Sequence, residues 1–302
     1  MTFRKALNDK LLTWKLTGGV REQIADLLER SNRAVMIKVG LFIVLFVVVA
    51  ALLAPVLPVA NPLQRDNTAL FDGLSSHHWF GTDELGRDVF SRVLWGSRVS
   101  LLVGTVAVLF SLTIGLVLGL VAGYFGGKID YLISGIIDIF WTLPTFLLAL
   151  AFAAALGPSL TYVIIAISIS SWAGYARLVR GQALSVRERL FVDASRALGA
   201  SHRRIMFLDI LPNCIAPITV WASIGVADAI VLESSLSFLG IGTQPPYPSW
   251  GYMLSSGRRF LDTAPWIATF PGIAIVLVIL GFNLFGDGLR DVLDPRMKGL
   301  RK

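Results

Sequence analysis

The chain has 302 residues, of which 55% are hydrophobic and 16% are charged, and its formal net charge is +7. Soluble domains carry about 25% charged residues, so this composition excludes an ordinary soluble domain. No residue from Ile139 to Ala176 is charged, which fits two membrane crossings joined by a short turn better than one soluble core. The sequence therefore predicts an all-α polytopic membrane protein.

Six apolar segments, each near the roughly 20 residues that cross a bilayer, predict six transmembrane helices. They cover residues 37–57, 99–125, 132–156, 160–176, 212–232 and 266–285. They divide the chain into an amphipathic N-terminal segment (1–36), a first helix (37–57), an outer loop (58–98), a five-helix domain (99–287) and a tail (288–302). The mixed segment before the first helix is too long to begin a cleavable signal peptide, so none is expected.

Basic residues fall unevenly on the two sides that these helices define. Most of the 27 Lys and Arg residues lie at the two termini and in the connection before the fifth helix. The opposite side has only Arg65, Arg87, Arg92, Arg98, Arg258 and Arg259. Because basic residues accumulate in cytoplasmic loops, we expect both termini and that connection in the cytoplasm, and no nucleic-acid partner.

In the outer loop, the stretch GTDELGRDVFSRVL predicts a helix capped by Thr82 or Asp83. We expect an interfacial helix that lies flat before the second span; the alternative is a surface that docks an extracytoplasmic protein. His77 and His78 in the same loop are expected to be solvated rather than to bind a metal. The apolar residues of the predicted helix share one face: Leu85, Val89, Phe90 and Val93.

Gly115, Gly119 and Gly123 recur every four residues in the second span. Missing side chains at this spacing let a neighbouring helix approach closely. We therefore expect tight intramembrane packing here, with a role in gating as the alternative.

Ionisable residues within spans are functional candidates, because an unpaired charge is costly there. The chain has three in or near its predicted spans, Asp138, Asp228 and Glu233, and pairing with a partner helix is the alternative for them. Together with a polar patch in the fourth span, Ser170, Ser171 and Trp172, they are the candidates for lining a pathway. The last outer loop, 233–265, contains prolines that stiffen it, and both a gate and a stabilised outer rim remain open for it.

The connection 187–212 has its own helical pattern. Gly199 can end one helix in the left-handed conformation, and Ser201 can cap a second that runs towards Pro212. Periodicity alone leaves open a compact cytoplasmic knob and an amphipathic linker on an anionic membrane surface. The apolar face of the first helix comprises Leu190, Phe191, Ala194, Ala197 and Leu198.

This connection resembles the EAA loop of permease subunits in ATP-binding-cassette (ABC) importers, whose pattern is E-A-A, three residues, G, nine residues and I-x-L-P. The stretch 193–195 stands at E-A-A and Gly199 at the glycine, whereas Asp193, Ser195 and Asp209 depart from the pattern. In that family the loop is a coupling helix that docks on the ATPase subunit. The resemblance therefore implies these coupling residues: Asp193, Ala194, Ser195, Arg196, Gly199, Leu211 and Pro212.

Four further stretches, 78–104, 123–130, 236–251 and 282–295, are similar to the second permease subunits of dipeptide, oligopeptide and nickel importers. The resemblance implies the type I ABC importer transmembrane fold in a bacterial inner membrane, and a non-catalytic subunit that forms half of a pathway for short peptides. It also implies a homologous second permease, two ATPase subunits that bind ATP and Mg, and an extracytoplasmic solute-binding protein.

The chain lacks the GxxxxGK[ST] phosphate loop, so we expect it to bind no ATP itself. It also lacks HExxH and CxxC, and its single cysteine, Cys214, excludes an internal disulfide. We therefore expect no metal site and no enzyme active site. The alternative function is a proton-coupled secondary transporter that uses Asp138 and Asp228 as coupling groups.

Overall fold

The computed structural model describes residues 35–293, so residues 1–34 of the predicted N-terminal segment and most of the predicted tail lie outside the described residues. Within this range the regular structure is helical, apart from one antiparallel bridge between Thr82 and Asp88. The helices are α1 (Val35–Leu53), α2 (Val89–Phe125), α3 (Gly127–Thr142), α4 (Thr145–Leu156), α5 (Leu160–Arg187), α6 (Leu190–Ala197), α7 (His202–Phe238), α8 (Trp250–Gly257) and α9 (Trp266–Leu293). Five of them, α1, α2, α5, α7 and α9, are long and apolar enough to cross a membrane.

The sixth span is broken. Residues 132–156 were expected to form one helix, but α3 and α4 meet at 88°. Pro144 explains the break, because proline lacks a backbone N–H and forces the residue before it out of the helical region. Leu143 accordingly has extended angles, φ −98° and ψ 137°. Counting the bent pair as one crossing gives six spans.

Helix α2 begins earlier than predicted and replaces the expected interfacial helix. It has 37 residues, about 55 Å at 1.5 Å per residue. Its N-cap is Asp88, whose carboxylate accepts a hydrogen bond from Ser91 N at 2.7 Å. The predicted cap at Thr82 or Asp83 is wrong because Gly86, with φ +67°, turns the chain there, and the Asp83 carboxylate accepts from Arg87 N within that turn.

Buried charges hold the outer loop onto α2. The Asp83 carboxylate accepts from Arg87 Nε at 2.7 Å and lies 3.5 Å from Arg92 Nε, and all three side chains are buried. Arg92 also donates to the carbonyl of Pro62 at 3.0 Å. A buried ion pair offsets its desolvation only if its remaining hydrogen bonds are made. Here the Asp83 carboxylate also accepts from the Arg87 backbone N–H, and Arg92 donates to the Pro62 carbonyl.

The exposed turns of this loop also make defined side-chain contacts. Hydrogen bonds from the side chain and backbone of Thr68 hold the pKa of the Asp66 carboxyl below its ordinary value. His78 Nδ1 lies 3.1 Å from the Asp88 carboxylate. The described residues contain no group of three His, Cys, Asp or Glu side chains that could hold a metal ion.

The glycines of α2 bring it against α5. A Cβ atom on Gly115 would lie 2.5 Å from Tyr175 Cβ, one on Gly119 would lie 2.5 Å from the Ala176 carbonyl, and one on Gly123 would lie 2.6 Å from Ala183 Cβ. Such distances leave no room for a side chain. Since helices in lipid associate through close van der Waals packing, this contact confirms the predicted tight packing.

Helix α7 is also longer than the predicted fifth span of 212–232. It starts at His202, passes through a π-helical segment, Ile205–Ile210, and continues through Pro217 to Phe238. It packs against α2, α5 and α9. Helix α1 then packs on α9, where a Cβ atom on Gly40 would lie 2.4 Å from Phe285 N.

Candidate functional site

A cavity of about 400 Å³ lies between α2, α3, α4, α5 and α7. This volume falls in the range of small-molecule sites. The lining residues that carry hydroxyl groups are Ser111, Thr145, Ser170 and Ser171. The aromatic rings and the single carboxylate among its lining residues come from Phe140, Trp141, Tyr175, Trp221 and Asp228.

The structure brings three of the six expected pathway residues to this cavity: Ser170, Ser171 and Asp228. Trp172 is buried instead, with its ring centroid 5.2 Å from that of Phe140. Consecutive residues of an α-helix point in directions about 100° apart, which explains why a contiguous polar patch was split between lining and buried positions.

Glu233 lies away from the cavity and is fully buried, with an exposed fraction of 0%. Its carboxylate accepts a hydrogen bond from Ser237 Oγ at 2.7 Å, and Ser100 Oγ of α2 lies 3.4 Å away. The Ser237 hydroxyl in turn accepts from Thr243 N at 3.1 Å. Glu233 therefore joins α7, α2 and the last outer loop.

Asp138 is paired within the chain. Its carboxylate accepts from Arg177 on α5, whose guanidinium carbon lies 4.1 Å from the Trp141 ring centroid. The acid is 65% exposed and the arginine 43% exposed. Because Trp141 also lines the cavity, this ion pair lies next to the cavity rather than in its lining.

Sequence reasoning missed the aromatic side of the cavity. Phe140, Trp141, Tyr175 and Trp221 all line it, yet aromatic residues in an apolar span are indistinguishable by type from core residues. The only local signal was Gly225. A Cβ atom there would lie 1.9 Å from Tyr175 Oη, so the glycine allows the phenol to lie against α7.

The connection before α7 forms the predicted helix, glycine turn and second helix. Helix α6 ends at Ala197, Gly199 follows with φ +77°, and the Ser201 hydroxyl accepts from Arg204 N at the start of α7. We call residues 190–204 the knob. Asp193 and Arg196 pair on its surface at 3.0 Å.

The knob exposes its apolar face. Leu190 is 87% exposed and Leu198 is 88% exposed, and Phe191 is also exposed. Val192 is the one buried residue of α6. An exposed apolar patch on an ordered element is typical of an interaction surface. The alternative, an amphipathic linker that lies flat on a membrane, fits less well, because α6 is followed directly by the Gly199 turn and the Ser201 cap.

The base of the knob is packed into the bundle. Val192 belongs to a buried cluster with Leu120 of α2, Val186 of α5 and Ile205 of α7. Arg187 donates to the carbonyls of Gly123 and Tyr124 at 3.4 and 3.3 Å. Of the other expected coupling residues, Leu211 packs at the edge of this cluster and Pro212 is exposed on α7.

The loop 233–265, which the sequence predicts to lie on the outer side, packs at the N-terminal end of α2. Trp250 is buried and its indole N–H donates to the Val93 carbonyl at 2.9 Å, and Trp266 donates to the Thr82 carbonyl at the same distance. Tyr247, which follows Pro246, is exposed. These contacts favour stabilisation of the outer rim as the role of most of this loop.

A helical bundle with six possible crossings, a polar cavity and a knob that projects beyond its helices defines a multi-pass membrane transport protein. Residues 115–299 match the family model described as the binding-protein-dependent transport system inner membrane component. The chain belongs to this family. It is a transport permease subunit and a multi-pass protein of the inner membrane.

Curated relatives agree over most of the chain. The dipeptide transport system permease protein of Alkalihalophilus pseudofirmus is 48% identical over 86% of this chain and 86% of its own length. The glutathione transport system permease protein of Pectobacterium atrosepticum is 42% identical over 87% and 88%. The di/tripeptide transport system permease protein of Pseudomonas aeruginosa is 43% identical over 86% and 88%.

The fold is that of type I ABC importer permeases. A chain of an inward-facing methionine ABC transporter aligns with a TM-score of 0.56 at 19% identity, over 68% of this chain and 97% of that chain. Family and fold together support ATP-driven import over the proton-coupled alternative.

Proposed function

We propose that this chain supplies one half of the pathway by which a binding-protein-dependent ABC importer takes up short peptides. A homologous second permease would supply the other half. The relatives that carry dipeptide, di/tripeptide and glutathione in their names support this class of solute, and the cavity combines hydroxyl, aromatic and carboxylate groups suited to a small polar molecule.

The observation that carries the proposal is the knob, which combines an exposed apolar surface with a buried base. Leu190 and Leu198 face outwards, while Val192 anchors α6 among α2, α5 and α7. A partner that moved this surface would therefore move the three long helices with it. We propose that the partner is an ATPase subunit and that the contact comprises Asp193, Ala194, Ser195, Arg196 and Gly199, with Leu211 and Pro212 behind it.

The proposed mechanism is alternating access. ATP and Mg are bound by two partner ATPase subunits, whose closure displaces the knob. Because the knob base is continuous with the helices that enclose the cavity, the displacement opens the cavity to the outer side, where a solute-binding protein delivers the peptide. ATP hydrolysis then returns the helices to the state that releases solute to the cytoplasm.

The test is to purify the tagged chain from its native membrane and identify the proteins that accompany it. The variant Leu190→Asp/Leu198→Asp removes the apolar surface of the knob without touching its buried base. We expect this variant to retain the second permease and to lose the ATPase subunits. The control is Leu74→Asp, because Leu74 is also an exposed leucine, at 60%, and lies in the outer loop.

Full recovery of the ATPase subunits with Leu190→Asp/Leu198→Asp would contradict the proposed docking surface. The substrate class is tested separately, by ATP-dependent uptake of a labelled dipeptide into proteoliposomes that contain the complex and its binding protein. Uptake that needed a proton gradient instead of ATP would contradict the proposed function.

A further inference from the structure

The charge in the cavity is of one sign. Among the described residues that line it, Asp228 is the only acid, and no lysine, arginine or histidine is present. The remaining lining is hydroxyl, aromatic or aliphatic. A cavity of this kind attracts cations and repels anions, because low-dielectric walls focus the field of the single charge.

Three other acids in these helices have hydrogen-bond or ion-pair partners within the chain, and Asp228 differs from them. Asp130 is paired with Arg180, Asp138 with Arg177, and Glu233 accepts from Ser237. Among the described residues, Asp228 has no hydrogen-bond or ion-pair partner. Its partner is therefore to be sought outside the described chain.

The depth of Asp228 makes an unpaired carboxylate costly. It lies about ten residues before Phe238, the last residue of α7, which is about 15 Å along the axis. Helix α7 is long and apolar enough to cross a membrane, and this distance places the carboxylate within the helix rather than at its end. Charges within a membrane-spanning helix face water-filled cavities or partners and mark the paths of ions and substrates.

Aromatic groups complete a site for a cation. Tyr175 Oη lies against Gly225, and Gly225 and Asp228 share a face of α7 because they are three residues apart. The rings of Trp141, Phe140 and Trp221 line the same cavity. A carboxylate among aromatic faces is the chemistry that recognises ammonium groups, through ion pairing and cation–π attraction.

We propose that Asp228 is the point in the pathway that receives the ammonium group of the passing solute, and that the cavity thereby selects for solutes with a free, positively charged amine. This inference rests on the proposed function, since it concerns the solute that the permease carries. It adds a selection step inside the membrane to that made by the binding protein.

The test measures the charge preference of the cavity directly. Ser171 lines the cavity, and replacing the buried Cys214 by alanine leaves Ser171→Cys as the one thiol of the chain. In the purified complex, this thiol is labelled with a trimethylammonium-ethyl or a sulfonatoethyl methanethiosulfonate, which are cationic and anionic. The anionic thiolate itself favours the cationic reagent, so the ratio of the two rates is divided by the ratio measured with free 2-mercaptoethanol. We expect this normalised ratio to be about ten or more, because focused fields raise local counter-ion concentration by that order.

Variants at Asp228 assign the preference to its carboxylate. Asp228→Asn should reduce the normalised ratio to near one, and Asp228→Glu should retain it. Asp262→Asn is the matched control, since Asp262 is an exposed acid in the last outer loop and its loss should leave the ratio unchanged. A ratio that Asp228→Asn does not alter would overturn the proposal, and so would a thiol that neither reagent reaches.

A protection experiment tests the ammonium group itself. Dialanine amide carries one ammonium charge, and N-acetyl dialanine amide is its neutral counterpart. Dialanine amide should slow the labelling and its acetylated form should not; equal protection by both would overturn the proposal. Recovery of ATPase subunits in the same sample tests the proposed function separately. Loss of those subunits with the charge preference intact would contradict the proposed importer and leave the proposed role of Asp228 standing.

Discussion

Tyr124 Oη lies 2.7 Å from His202 Nδ1, and the hydrogen bond that they share joins the last turn of α2 to the first residue of α7. The Arg196 guanidinium of α6 lies 5.7 Å from the centroid of the same tyrosine ring. Tyr124 therefore contacts the knob at two points, on both sides of its glycine turn.

Replacing Tyr124 by phenylalanine should weaken the coupling between the ATPase and the pathway. The ring and its contact with Arg196 remain, but the hydrogen bond is lost, and a net hydrogen bond contributes about 0.5–1.5 kcal/mol. We expect the number of solute molecules taken up per ATP to fall about threefold while ATP hydrolysis continues. Uptake and hydrolysis measured on the same proteoliposomes check this.

Tyr131→Phe is the control for this change, because Tyr131 on α3 is exposed and no hydrogen bond of its hydroxyl occurs among the described residues. An unchanged ratio of uptake to hydrolysis in Tyr124→Phe would show that the hydrogen bond does not hold the knob in place.

Replacing Gly199 by valine should distort the knob without disturbing the spans. No atom lies within 4 Å of a Cβ at this position, but φ is +77°, a conformation that costs an ordinary residue about 1–2 kcal/mol. We expect Gly199→Val to lose most uptake while the chain is still recovered with the second permease. Gly199→Asn should retain uptake, because asparagine tolerates the left-handed region; equal loss in both variants would contradict a backbone cause.

Replacing Gly119 by alanine should destabilise the contact between α2 and α5. The new methyl would lie 2.5 Å from the Ala176 carbonyl and 2.9 Å from Val179 Cβ, and overpacking of this kind costs about 1–3 kcal/mol. A lowered thermal unfolding temperature of the purified chain is the expected result. Gly181→Ala on α5, where nothing lies within 4 Å, should leave that temperature unchanged or raise it.

Replacing Asp83 by asparagine should release the outer loop. The change leaves the buried Arg92 guanidinium without its carboxylate and leaves Arg87 with only Glu84, 3.3 Å away. Breaking a buried ion pair costs about 3–5 kcal/mol. Faster trypsin cleavage between residues 58 and 98 should report the loosened loop. Asp72→Asn, at an exposed acid of the same loop, should be cleaved at the rate of the unaltered chain.

The features that could be predicted from the sequence depend on residues within one segment. The spacing of Gly115, Gly119 and Gly123 is local to α2, and the order of α6, Gly199 and Ser201 is local to the knob. Each pattern needs only helical geometry to be interpreted, and the structure contains both features.

The features that could not be predicted depend on distant contacts. Asp83 and Asp88 are both plausible helix caps, and the choice between them is made by Arg87, Gly86 and the carbonyl of Pro62, which hold the turn in place. Glu233 has the sequence features of a pathway acid, but its carboxylate lies beside Ser100, which is 133 residues away along the chain. Pro144 is visible in the sequence and accounts for the break, but a proline alone does not fix the 88° angle between α3 and α4.

The uninterrupted length of α2 has a mechanical consequence. Val89 at its first turn packs with Met253 and Ile267 near one membrane face, and Tyr124 at its last turn contacts the knob near the other. In a straight rod about 55 Å long, a tilt of about 10° around the middle moves the two ends about 5 Å in opposite directions. In the proposed alternating-access mechanism, widening at one face and narrowing at the other would then be a single rocking motion, which requires no helix to bend or unfold.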